Sequence, residues 1–407
     1  MMHEAMILQG MLKHIMKSNY PKQTTEPFFY DSWIFTLALI LILFGLLMVT
    51  SASMVISDKL YHYPFHYLLR QLFFLITGIG IAWVITRVPL IFWQRISRVL
   101  MLICIFILLL VLVPGIGKVV NGSRRWVHIG FISLQVSEAV KLLAILYLAG
   151  YLNNHLEEVQ EKLSGFIKPI LFLGLISFLL LLEPDFGATS VIGMTFLAVL
   201  FIAGARLLPF LTLFVTAVTA MSVLAVTSPY RMQRLTTFLN PWLHAYTSGY
   251  QLTQSLIAFG RGGLFGVGLG NSVQKLFYLP EAHTDFIFAV IAEELGLMGE
   301  LILIALFALL IVRVVALGQQ ALRQDQIFAG FSAIGIGLWL AFQSMINIGV
   351  NIGILPTKGL TLPLISYGGS SMWMTCAAVG IVLRIAYEVQ VLAPSRFNLQ
   401  SSRRVYR

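Results

Sequence analysis

Long apolar runs broken by short polar segments set the first pattern along this chain. Runs such as FLGLISFLLLL (172–182) and LILIALFALLIV (301–312) contain no charged residue, and about 20 mostly apolar residues cross a bilayer as a helix. Ten such segments are predicted, near 33–52, 69–86, 97–114, 134–152, 168–184, 186–204, 208–226, 296–314, 327–349 and 369–389. The fold class is an all-α integral membrane protein of about ten transmembrane helices, with both ends on one side. Residues 1–30 read as an N-terminal tail, 31–389 as one polytopic domain and 390–407 as a C-terminal tail. Leu156, Val159, Leu163 and Phe166, with Glu157, Glu158 and Glu161 between them, predict a short amphipathic helix over 153–167 on the inner interface. The outer segment 227–295, between the seventh and eighth spans, is the loop large enough to build a site by itself. Its prolines, its glycine run GRGGLFGVGLG and its apolar content suit an ordered functional loop.

Composition agrees with the pattern. Of 407 residues, 58% are hydrophobic and 11% charged, against about 25% charged in a soluble domain, and the mean hydropathy is +0.87. The net charge of +10 is spread through loops, which suits topology and anionic lipid and argues against nucleic acid as a partner. With the N-terminus inside, sixteen Lys and Arg fall on the inner side and ten on the outer, a bias that places both termini in the cytoplasm. No signal peptide is expected, because no long apolar stretch in the first 27 residues precedes a small-residue cleavage site. Cys104 and Cys376 lie in apolar runs and read as small core residues.

Ionisable groups at membrane depth cost about 2.5–3.5 kcal/mol on insertion scales, so each wants a reason. Glu138 and Lys141, three apart, predict an intrahelical pair. Glu183 and Asp185 crowd one short turn, either to cap a helix or to line a polar cavity. Asp285 stands just before an apolar helix, where it is either an N-cap or a general base with a tuned pKa. Gln343, Asn347 and Asn351, at i, i+4 and i+8, form one polar stripe that serves interhelical hydrogen bonding or faces a hydrophilic cavity. The segment ILPTKGLTLPLISYGGSS cannot be regular helix, and such backbone at depth must be buried or face water. Thr357 and Lys358 would face that water, where an ammonium can hold phosphate oxygens. Arg124 and Arg125, beside Trp126, either fork onto a phosphate or anchor a loop to headgroups. The glycine run is no dinucleotide fingerprint, since no βαβ unit surrounds it. His283 and Asp285 lack a third ligand for zinc, while a divalent cation (Mg2+ or Mn2+) bridging Asp285 and a ligand diphosphate stays open.

GYQLTQSLIAFGRGG, GLGNSVQKLFYLPEAHTDFIFAVIAEELG and LPTKGLTLPLISYGGSS, with NGSRRWVHIG and LLEPDFGATS upstream, resemble the SEDS family (shape, elongation, division and sporulation). The resemblance runs from about Asp31 to Glu388. It implies peptidoglycan glycosyltransfer from lipid II, a disaccharide-pentapeptide on undecaprenyl diphosphate, at the periplasmic face of the bacterial inner membrane and at the division septum. By resemblance, Asp285 is the general base, Lys358 steadies the leaving diphosphate, and Arg124 and Arg125 lie near the lipid-linked substrate. Glu281 and His283 surround the base, and Thr357, Gln343, Asn347 and Ser370 are the polar groups expected on the substrate side. The implied partners are a class B penicillin-binding protein and other division proteins. One departure is Phe277 in KLFYLP, where the family pattern suggests a polar or acidic residue. The competing reading is a lipid II flippase, which would want two pseudo-symmetric halves with paired broken helices, and no internal repeat is visible. A pure scaffold would leave the cost of Asp285 unexplained.

Overall fold

Asp31 opens the first helix: its carboxylate accepts hydrogen bonds from the amides of Trp33 at 3.1 Å and Ile34 at 3.2 Å, as an N-cap should. Its other oxygen receives Arg313 at 2.6 Å. The computed structural model describes residues 31–120, 123–130, 132–226, 232 and 236–405; the expected tail 1–30 lies outside them. The helices are α1 (Ser32–Tyr61), α2 (His66–Arg87), α3 (Leu90–Leu112), α4 (Val136–Glu161), α5 (Leu163–Leu182), α6 (Phe186–Ile202), α7 (Leu207–Val226), α8 (Tyr250–Gly262), α9 (Ile287–Arg323), α10 (Ile327–Asn351) and α11 (Gly369–Val405). Among the described residues, eight helices are long and apolar enough to cross a membrane. The sixth and seventh predicted spans are the shorter apolar helices α6 and Leu207–Thr216 within α7. α10 packs against α4, α6 and α9, and α2 packs against α11 and α1.

Four features add to or differ from the sequence-based picture. The outer stretch between α3 and α4, expected as a loop, is an antiparallel meander of β1 (Gly117–Val120), β2 (Ser123–Ile129) and β3 (Ile132–Gln135) in the order β1-β2-β3. Its alternating β-branched and aromatic residues favour strands. The expected amphipathic helix over 153–167 is instead the last turns of α4 beyond a kink at His155 (φ −137°, ψ 27°), followed by the start of α5. The His155 ring stacks on Tyr151 at 4.8 Å, and the Tyr151 hydroxyl donates to the Gly165 carbonyl at 2.7 Å. The residues expected as a C-terminal tail continue α11 as helix to Val405, which leaves that expectation untouched.

The fourth concerns α9, which breaks at Gly296 (φ 64°, ψ −168°). Its first segment is buried from Ile287 to Glu294, while beyond the break Leu297, Met298, Leu301 and Ile302 are exposed. The glycine run supplies the hydrogen bonds the break removes. Leu297 N donates to Gly263 O at 3.0 Å, Met298 N to Leu264 O at 3.1 Å, and Val267 N to Glu293 O at 2.9 Å. Only glycine tolerates the Gly296 conformation, and an added Cβ would stand 2.3 Å from Gly266 N. Gly296→Ala is therefore expected to destabilise the fold by at least about 1–3 kcal/mol from backbone strain, read as a lowered unfolding temperature in detergent.

Two buried glutamates complete the clamp. Glu293 accepts from the amides of Val273 at 3.1 Å and Gln274 at 3.2 Å, with Arg261 at 3.5 Å. Glu294 holds Lys275 at 2.7 Å and Ser51 of α1 at 2.7 Å. The outer loop thus hangs on the first segment of α9, two residues beyond Asp285.

Candidate functional site

Asp285 lies in the turn before α9, and the N-cap position belongs to Phe286 with no side-chain cap bond. The carboxylate is not a cap. Among the described residues nothing donates a hydrogen bond to it, whereas its main-chain carbonyl is held twice, by Asn347 Nδ2 at 2.8 Å and Asn351 Nδ2 at 3.0 Å. Asn347 Nδ2 also donates to Leu360 O at 2.6 Å, and Asn351 Oδ1 accepts from Ala289 N at 3.1 Å. The polar stripe of α10 therefore fixes the backbone on both sides of the site while leaving the carboxylate available. Burial pushes the Asp285 carboxyl up to about 7; Glu281 and Glu138 push the same way and Arg125 opposes them. A carboxyl there is poised between proton acceptor and donor near neutral pH.

The segment 355–361 passes close by. A Cβ on Gly359 would stand 2.9 Å from Asp285 Oδ2, so only a residue without a side chain lets this backbone run against the carboxylate. Leu360 N donates to Lys358 O at 3.0 Å across Gly359, and Lys358 Nζ lies 3.3 Å from Ser190 Oγ on α6. Thr357 is half-buried beside it.

Arg125, on β2, faces Asp185 at 3.6 Å. Asp185 takes the first of the roles its turn suggested: it caps α6 through Ala188 N at 3.1 Å, and it also accepts from Ser137 Oγ at 2.9 Å and meets the arginine. Glu183 beside it is buried, and among the described residues neither of its oxygens is hydrogen-bonded. Burial first, then the Asp185 charge, push its carboxyl up to about 8 against the pull of Arg125. Arg124 points elsewhere, its guanidinium donating to Leu112 O at 3.0 Å. Of the adjacent arginines, Arg125 is the one joined to the site.

Other expected residues have protein partners of their own. Gln343 Oε1 accepts from Lys141 Nζ at 2.6 Å and Trp339 Nε1 at 2.7 Å, while Nε2 donates to Thr361 O at 2.9 Å. Its amide is spent on holding the 357–361 segment. Ser370 Oγ accepts from Gln135 N at 2.8 Å and donates to Ser133 O at 3.3 Å, tying the meander to α11. Glu281 is exposed at φ 55° and accepts from Thr284 Oγ1 at 2.6 Å. The His283 imidazole is buried, with Nδ1 unpartnered among the described residues; burial lowers its pKa against the charge of Glu281. Phe277 sits at φ 69° under the Lys59 ammonium, 4.1 Å from its ring centroid. Ser190, Tyr67 and Tyr367 carry no sequence signal of a role, since only tertiary packing brings Ser190 to Lys358 and the two tyrosines to His283.

The described residues bring no set of three or more His, Cys, Asp or Glu together. A divalent cation at Asp285 would take most of its ligands from phosphate and water. Replacing Asn347 by Leu should strand the Leu360 carbonyl, cost about 1–3 kcal/mol of stability, and lower kcat about tenfold to a hundredfold through a displaced Asp285. Unfolding curves and steady-state kinetics on one preparation would check both.

The cell cycle protein family of FtsW, RodA and SpoVE matches residues 31–391. A probable peptidoglycan glycosyltransferase FtsW of Coxiella burnetii is 61% identical over 369 residues, covering 91% of this chain and 99% of the relative. One of Legionella pneumophila with the same description is 55% identical, covering 88% and 91%. Among solved structures, a chain from a peptidoglycan synthase complex that coordinates polymerization and crosslinking superposes with TM-score 0.74 at 27% identity, covering 89% of this chain and 99% of that one. Rod shape determining protein RodA of Thermus thermophilus gives TM-score 0.67 at 27% identity, covering 91% and 99%.

Proposed function

This chain belongs to the cell cycle protein family of FtsW, RodA and SpoVE and is a peptidoglycan glycosyltransferase, and on that premise we propose that Asp285 is its general base. The observation that carries the proposal is a carboxylate with no hydrogen bond of its own among the described residues, on a backbone held by Asn347 and Asn351, beside the Lys358 segment and within the field of Arg125.

The acceptor sugar presents its 4-hydroxyl to the Asp285 carboxylate, which takes the proton as the oxygen attacks the anomeric carbon of the donor. The bond from that carbon to the diphosphate oxygen breaks with its electron pair on the leaving group. A single displacement inverts the anomeric centre and gives a β-1,4 link. Undecaprenyl diphosphate is the leaving group, and Lys358 and Arg125 offset its growing charge. Arg125 is kept ready by Asp185, a weak partner at 3.6 Å that a phosphate can replace.

Lipid II supplies both sugars, and both are anchored in the same leaflet, so a site at the outer end of the bundle meets them where they are presented. We place that site on the periplasmic side of the inner membrane, with both termini cytoplasmic, and assign the chain to septal wall synthesis in division. The expected partner is a class B penicillin-binding protein acting with other division proteins, in keeping with the complex whose chain this fold matches.

The experiment is a polymerisation assay with purified protein, its transpeptidase partner and lipid II in detergent. Glycan strands resolved on a gel are the expected result. Absence of polymer, together with transfer of labelled lipid II between leaflets of reconstituted vesicles, would replace this reading by a flippase.

A further inference from the structure

Two groups of side chains of different chemistry stand near the Asp285 turn. One is Arg125 with Lys358. The other is a tier of rings from the end of α1, the start of α2, His283 and the segment before α11. Tyr67 meets His283 at 4.7 Å and Tyr367 at 5.1 Å, with His283 and Tyr367 5.5 Å apart. Tyr61 reaches Tyr67 edge-on at 5.8 Å and stacks on His66 at 3.7 Å and 11°.

This tier is bolted to the turn that carries Asp285. Tyr367 N donates to His283 O at 3.0 Å, and Ser366 Oγ donates to Thr284 O at 2.6 Å. The α1–α2 turn is itself fixed: Ser57 Oγ donates to Tyr63 O at 2.7 Å and accepts from His66 N at 3.0 Å. The rings therefore share one frame with His283, which is two residues from Asp285. Tyr61 has one face covered by His66 and stays 45% exposed.

A diphosphate suits the basic pair. An exposed aromatic side chain suits an uncharged ring whose axial C–H groups meet the negative π surface. In the glycosyl transfer proposed above, the group brought to Asp285 from the side away from the diphosphate is the acceptor sugar, whose own diphosphate lies at its far end.

We propose that Tyr61, backed by His66, is the platform on which the acceptor sugar stacks, holding its hydroxyl toward Asp285. The proposal rests on the general-base reading of Asp285 for its direction, but binding can be measured without turnover. The probe is an acceptor-only disaccharide-pentapeptide, closed as a methyl glycoside at its anomeric carbon, titrated onto the full-length protein in detergent. Tyr61→Leu is expected to raise its Kd about tenfold, while Tyr61→Phe, which keeps the ring, stays within about twofold of wild type. A donor-only lipid II, with its 4-hydroxyl blocked, should bind all three proteins alike.

Equal acceptor Kd values for the leucine variant and wild type, a parallel loss of donor binding, or no acceptor binding by wild type would each overturn the proposal and leave Tyr61 as an interfacial aromatic. Turnover on the same samples tests the other reading separately. A binding shift without wild-type turnover would sink glycosyl transfer and leave the platform standing.

Discussion

Asp285→Asn should lower glycan polymerisation about 10²–10⁴-fold, the span that general-base catalysis contributes, with stability nearly unchanged. The substitution removes the proton acceptor and keeps the shape. It should also be mild for the fold, because what Asn347 and Asn351 grip is the main-chain carbonyl, which asparagine retains. Wild-type activity should rise with pH through about 7, where burial and the Glu281 charge have pushed the carboxyl. The sign follows from the role: the base works deprotonated, and a raised pKa moves the working form to higher pH. Arg125 pulls the other way, so Arg125→Gln should shift that limb further toward alkaline pH and raise KM for the lipid-linked donor. Initial rates between pH 5 and 9, with unfolding curves on the same protein, test both arms. A profile flat across neutral pH, or polymer from the asparagine variant at the wild-type rate, would remove Asp285 from the mechanism.

Much of this architecture is written in local pattern. The spans follow from apolar length, the Glu138–Lys141 pair from spacing along one helix, and the grip of α10 from Asn347 and Asn351 recurring every fourth residue. What escaped is tertiary. The break at Gly296 falls where the eighth span is expected to begin, but the glycine run around Gly266, some thirty residues earlier in sequence, is what makes φ 64° stable there. Arg125 and Asp185 become partners because the β meander brings β2 over the start of α6, and the meander's strand signals were masked by the expectation of a plain loop. Arg124 and Arg125 were indistinguishable by sequence, since adjacent strand residues point to opposite faces and pairing alone decides which one meets the site.

Lys141→Met is expected to be the costliest single change for stability, at about 3–5 kcal/mol. Lys141 is 1% exposed; its ammonium donates to Glu138 Oε1 at 2.8 Å and Gln343 Oε1 at 2.6 Å, and lies 5.4 Å from the Trp339 ring centroid. Methionine fills the volume but leaves Glu138, whose other oxygen is already buried without a partner among the described residues, as an uncompensated charge inside the bundle. Gln343 would keep the Trp339 bond and lose the ammonium, and through its 2.9 Å bond to Thr361 O the disturbance reaches the segment carrying Lys358. Activity should therefore fall as well, in a protein whose Asp285 is untouched. The second variant decides the cause. Glu138→Gln added to Lys141→Met removes the orphan charge and should recover more than half of the lost stability, a coupling of at least about 1.5 kcal/mol in a double-mutant cycle. Unfolding in detergent of the four proteins measures it. Additive losses would mean that the ion pair matters only as packing, and that the first variant fails for want of volume rather than for want of charge.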